Sequence, residues 1–225
     1  MGSFKIIRSD PPLKAYISKP AGDGPFPVVI VFMHRPGVDD SQQKVVENLA
    51  SAGFIGVCQD AYRDDTIKDS YTDATIFEDY EYTVSYIREN ISKVDSEKLA
   101  IVGFCMGGRH VFLAASRYSK LKSAVSYYGF PGSGNNDKDT PIKVIDKMNV
   151  PVLGIFGKQD HLFPFSDVES FRDKLLASSD KHKIVVYDDV GHGFLNPNSP
   201  RFGDGVSAGK AWMETISFIK KNFEL

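Results

Sequence analysis

Two periodicities alternate along this chain. Val28–Met33 is an uninterrupted apolar run, the pattern of a strand buried on both faces. Ser41 to Ala52 then carries Val45, Val46, Leu49 and Ala50 at helical spacing, and Gly53 follows as a stop signal. The alternation continues with strands at Phe54–Cys58, Lys98–Phe104, Ser123–Tyr128, Val152–Phe156 and Lys183–Tyr187. Between and after them, helical patterns occupy Ile76–Ile91, Met106–Tyr118, Phe165–Ala177 and roughly Ser207 to Phe223. Two short strands, Phe4–Arg8 and Leu13–Lys19, precede the first buried run. Strands alternating with helices predict an α/β fold, a mostly parallel central sheet flanked by helices on both faces. Ala61–Thr75 is polar and irregular and reads as a loop or lid, and a second loop, rich in Gly, Asn and Asp, runs from Gly129 to Asp137. No linker or repeat interrupts residues 1–225, so a single domain is expected.

Composition narrows the function classes. A net charge of −2 gives no general attraction to nucleic acid or to an anionic membrane, so neither is an expected partner. The chain has no apolar run long enough to span a bilayer and no secretory leader pattern, so a cytoplasmic location is expected. Two cysteines make no disulfide framework. No pair of histidines has metal-ligand spacing, and no glycine-rich phosphate loop is present, so neither a metal nor a nucleotide cofactor is expected.

The chemistry gathers where the strands end. G103-x-C105-x-G107 stands between a buried strand and a helix, matching the nucleophile elbow of the α/β-hydrolase fold. The glycines leave room for a sharp turn, the helix N-terminus favours a thiolate, and the backbone N–H of Met106 can serve a developing oxyanion. Cys58, with no glycine beside it, reads as core. Asp160 follows one strand in G157-K-Q-D160, and His192 follows the next in G191-H-G-F194. The order nucleophile, acid, histidine is the one this fold uses, which predicts a triad of Cys105, His192 and Asp160. His110 and His182 are assigned surface or capping roles, and His161 the rim of the site.

These landmarks, with P25-F-P-V-V-I-V31 and S126-Y-Y-G129, resemble the dienelactone hydrolase family, and the likeness covers nearly the whole chain. The resemblance implies hydrolysis of an enol-lactone or related ester through an acyl-cysteine intermediate. It also marks departures. Where the family carries a glutamate that activates the thiol, this chain has M33-H-R-P-G-V38, so His34 takes that place, either as a loop-shaping or as a catalytic residue. The backbone N–H of Arg35 would be the second oxyanion donor. Asn196 stands where the family places an arginine for the substrate carboxylate, leaving Arg201 and Arg63 as candidate replacements. His34, Tyr127 and Phe194 are expected around the substrate, with plain packing the other reading of Tyr127. The expected partner is a small ester or lactone; the alternatives are a thioesterase or small-acyl esterase on the same scaffold, and a thiol sensor or binding protein.

Overall fold

The computed structural model describes residues 2–132, 139–196 and 205–225. Its strands are β1 (Ser3–Ser9), β2 (Pro12–Ser18), β3 (Phe26–Phe32), β4 (Ile55–Gln59), β5 (Val94–Phe104), β6 (Ser123–Tyr127), β7 (Val152–Gly157) and β8 (Lys183–Tyr187). The helices are α1 (Asp40–Ser51), α2 (Asp73–Asn90), α3 (Met106–Arg117), α4 (Phe165–Ser178) and α5 (Val206–Phe223). The strands form one sheet in the order β1-β2-β4-β3-β5-β6-β7-β8. From β4 to β8 all neighbours are parallel, and β1 and β2 add an antiparallel edge. The α/β architecture read from the sequence is the one observed.

The fully apolar runs became the central strands because helices cover both sheet faces. Every residue from Pro27 to Phe32 in β3, and all of β6 and β7, is buried. Boundaries moved where polar residues carry the structure. β5 begins at Val94 rather than Lys98, since Phe26 and Pro27 pair with Val94 and Asp95 before a register shift returns Val28 to Leu99. Apart from Val94 those first residues are polar, and none of them is buried, so no apolar pattern announces them. α2 begins at Asp73 rather than Ile76 because Thr72 caps it, accepting from the Thr75 N–H at 3.3 Å. Asp39 does the same for α1, accepting from Gln42 N–H at 3.0 Å. Two short 3₁₀ turns, Pro141–Lys143 and Ile145–Lys147, lead into β7 and have no counterpart in the expected elements.

Three histidine and arginine expectations are corrected by packing. His110 is buried, with Nε2 2.9 Å from Asp73 Oδ1, and the same carboxylate accepts both terminal nitrogens of Arg109 at 2.6 and 2.9 Å. It therefore belongs to an internal α2–α3 tie, not to the surface. His182 is buried as well, its Nδ1 accepting from Val152 N–H at 3.2 Å at the start of β7. Arg63 does not face a substrate: it and Arg8 each donate to Oδ1 of the fully buried Asp79 at 2.8 Å. A carboxylate removed from water needs such partners, and two guanidinium groups are held inside by it. No helix among the described residues is long and apolar enough to cross a membrane.

Candidate active site

Cys105 lies between β5 and α3 with φ +55°, a conformation that non-glycine residues rarely hold. The strain is held from both sides. Its N–H donates to Tyr127 O at 3.0 Å, and its carbonyl accepts from Arg109 N–H at 3.1 Å. The flanking glycines are required by contact rather than by φ: a Cβ on Gly103 would collide with the Gly107 carbonyl, and one on Gly107 with the carbonyl of Phe32. That close approach sets the start of α3 against the end of β3. The thiol is half-buried at the carboxyl end of the parallel strands, where open α/β sheets place their ligands.

Asp160 and His192 sit in loops that follow β7 and β8. These loops are laced together by Lys158 N–H to Tyr187 O at 2.9 Å and Gln159 N–H to Val190 O at 3.0 Å. Asp160 Oδ1 accepts from Leu162 N–H at 2.9 Å, and Oδ2 lies 2.7 Å from His192 Nδ1. An ionised carboxylate only accepts, so Nδ1 carries the hydrogen and Nε2 is left for the thiol side. Nε2 is buried and has no hydrogen-bond partner. Burial disfavours the charged ring, but the bond to Asp160 and the interaction with Cys105 outweigh it and lift the His192 pKa to about 9. The three predicted triad residues are thus brought together. Cys58, by contrast, is fully buried in β4, and burial pushes its thiol far up.

Around the ring the lining differs from the expected one. Tyr127 is wholly buried, its hydroxyl donating to Ala211 O at 3.0 Å and sharing a 2.6 Å hydrogen bond with Thr215 Oγ1. Phe194 is also wholly buried, packed on Tyr127, Tyr128 and Tyr187. Both are core residues: Tyr127 is tied by its hydroxyl to α5, and Phe194 packs against its ring. Tyr128 takes the expected place instead. It lies just past β6 with φ +39°, and its ring centroid is 4.9 Å from that of His192. Tyr128 has left the strand at its positive φ, and its ring packs 6.0 Å from that of Tyr127, so alternation along β6 gave no signal for it. Phe130 and Phe163 complete the apolar wall on His192, and His161 stays exposed.

A cavity of about 490 Å³ opens beside this centre, lined by His34, Gln42, Tyr128, Asn196 and Trp212 among others. His34 is buried with Nε2 3.0 Å from Asp39 Oδ2, a close contact that falls short of an aligned hydrogen bond. Burial opposes ionisation of Asp39, yet His34, Ser41 and the Gln42 N–H together bring its carboxyl down to about 2. Arg35 is exposed in the turn closed by Gly37 N–H to His34 O at 3.0 Å, next to the β3–α3 contact that carries Met106. The expected lid folds onto Met106: the hydroxyls of Tyr62, at 3.7 Å, and Tyr71 both reach its sulfur. Arg201 lies outside the described residues. Among the described residues no cluster of His, Cys, Asp and Glu is arranged to hold a metal ion.

The profile of the dienelactone hydrolase family matches residues 13–223, almost the entire chain and every element of this site. The chain belongs to the dienelactone hydrolase family. An Escherichia coli K12 protein named "Putative carboxymethylenebutenolidase" is 30% identical over 226 aligned residues, covering 93% of this chain and 82% of that protein. The crystal structure titled "Putative Dienelactone Hydrolase" from Klebsiella pneumoniae superposes with a TM-score of 0.86 at 26% identity, covering 97% of this chain and 98% of the other. A dienelactone hydrolase-like promiscuous phosphotriesterase, P91, from metagenomic libraries shares the fold at a TM-score of 0.79 and 18% identity, covering 98% of each chain. This family member is therefore a hydrolase by kinship, and its substrate is a small molecule.

Proposed function

We propose that this protein is a cysteine-dependent hydrolase of carboxylic esters or lactones, acting through an acyl-cysteine intermediate. The observation that carries the reading is the 2.7 Å contact of His192 Nδ1 with Asp160 Oδ2 beside a cysteine held at φ +55°. Asp160 fixes the tautomer of His192, whose Nε2 exchanges a proton with Cys105. The sulfur attacks the carbonyl carbon, and the N–H groups of Arg35 and Met106 receive the oxyanion, each contributing about 3–4 kcal/mol in comparable sites. His192 protonates the departing alcohol or enolate, then draws a proton from the water that releases the acyl group. A thiolate is itself a good leaving group, so esters with a stabilised alcohol, such as enols and phenols, are favoured over amides.

The substrate class follows from what surrounds the thiol. Arg63 is committed to Asp79, and the cavity wall mixes apolar rings with Asn196, His34, Asp40 and a largely exposed Lys44, which supports an acyl group without a second carboxylate. Thioesters of small acids satisfy the same geometry and are separated by substrate profile. The test is intact-protein mass spectrometry during turnover of phenyl pentanoate. A transient adduct of the pentanoyl mass on the wild type, absent from Cys105→Ala, is expected. Turnover by Cys105→Ala at the wild-type rate would overturn the mechanism.

A further inference from the structure

We infer that the acyl group of the substrate is a long unbranched hydrocarbon chain, which runs from the cavity beside the active site into an open trough between α1 and α5. The trough is lined by Ser51 and Ala52 at the end of α1 and by Met213, Ile216 and Lys220 along α5, among others. Asn48 and Trp212 line both the trough and the cavity, so the two depressions meet at these side chains. The order of residues along the two helices makes them one path. Ser41, Val45 and Asn48 line the cavity, and Asn48 and Ala52 the trough, a single stripe at helical spacing that follows α1 for about 16 Å. On α5 the matching stripe is Trp212, Ile216 and Lys220, which again leads away from the cavity.

The chemistry of the walls selects the occupant. Val45, Phe104, Leu195 and Trp212 give the cavity an apolar side, and Met213, Ile216 and Leu225 carry it on through the trough. Met213 is 65% exposed and Leu225 62%, while Trp212 and Ile216 are half-buried. A contiguous apolar strip left facing water marks a binding surface, and an alkyl chain gains by covering it. Ser51, Ser217 and the two lysines, all exposed, keep the rims polar. The acyl part is the portion that reaches the trough. The leaving group must receive its proton from His192, whose ring is flanked by Phe130 and Phe163, and neither of these lines the cavity or the trough. This rests on the reading that Cys105 attacks the acyl carbon.

The test measures binding, not turnover, so it stands apart from the thiol chemistry. Trp212 is the only tryptophan of the chain, so its fluorescence reports occupation of the junction directly. The probes are the N-methyl amides of butanoic, octanoic and dodecanoic acid, which present an acyl group without a leaving group that a thiol displaces readily. In wild type the Kd is expected to tighten by about twofold per methylene, half the free energy of complete burial, and so roughly fifteenfold from octanoyl to dodecanoyl. That gain is expected to fall below about threefold in Ile216→Glu, which places a carboxylate in the trough, and to be at least halved in Met213→Glu, an exposed position where folding is not at stake. An equal gain in both folded variants, or no gain in wild type, would overturn the inference. So would a wild-type dimer in sedimentation that Met213→Glu splits with the amide affinities unchanged, since the trough would then belong to a second copy. Hydrolysis of phenyl pentanoate by wild type and its loss in Cys105→Ala, read in parallel, report only on the nucleophile.

Discussion

Gly107 faces the carbonyl of Phe32 so closely that no side chain fits between them. That contact seats α3 on the end of β3 and brings the turn carrying Arg35 beside the elbow. Gly107→Ala is expected to cost about 1–3 kcal/mol or more, because the obstacle is backbone and cannot rotate away. For a chain of this size each kcal/mol lowers Tm by roughly 2–4 °C. Gly209→Ala is the control: its site in α5 has nothing within 4 Å, so it should gain about 0.5–1 kcal/mol of helix stability. Thermal unfolding of the two variants checks both signs.

Asp160→Asn keeps the shape of the side chain but offers His192 a donor that favours the wrong tautomer. A fall in kcat of about 10⁴ is expected. NMR titration should find the His192 pKa well below the wild-type value of about 9, since one of the two interactions opposing burial is lost. An unmoved pKa would separate Asp160 from His192.

The raised pKa of His192 also sets a pH signature. Its folded value of about 9 exceeds the ordinary 6.5, so its contribution to stability is full below pH 6.5 and fades as pH rises through 9. Asp39 has the opposite sign: held at about 2 against an ordinary 3.8, it stabilises above pH 3.8 and stops doing so as pH falls through 2. Ester hydrolysis should decline with a limb near pH 9, where His192 loses the proton destined for the leaving group. Thermal unfolding and initial rates across pH 6–10, with Asp160→Asn beside wild type, give the comparison: both alkaline declines should move to lower pH in the variant.

Asp73 accepts from both arms of Arg109 and contacts His110, all three buried. Burial resists its ionisation, but His110 and Arg109 hold its carboxyl well below the ordinary carboxylate range. Asp73→Ala would leave the guanidinium group inside without its carboxylate, at a cost of about 3–5 kcal/mol. Urea unfolding measures it, and a change under 1 kcal/mol would mean that Arg109 finds another partner.

Some of this was legible in one dimension. The apolar runs at Val28–Met33 and Val152–Phe156 announced central strands, because a strand covered on both faces needs every position apolar. Thr72 and Asp39, by contrast, moved two helix starts through cap bonds that leave no apolar trace. Tyr127 and Phe194 show the harder limit. Their residue types suit a pocket wall and a core equally well, and only their tertiary contacts, Tyr127 bonded to Ala211 and Thr215 with Phe194 against its ring, separate the two.

By itself the sequence determined the layered α/β order and the three strand ends that carry Cys105, Asp160 and His192. Those features are local: periodicity, glycine spacing and chain order are properties of neighbouring residues. Only the tertiary structure decided that Arg63 serves Asp79, that His110 is internal, that Tyr128 rather than Tyr127 faces His192, and that Gln42 lines the cavity with a buried, unpartnered oxygen. Each of these depends on which distant segment supplies a charge, a ring or a hydrogen bond, and such partners are set by how the chain packs, not by its order.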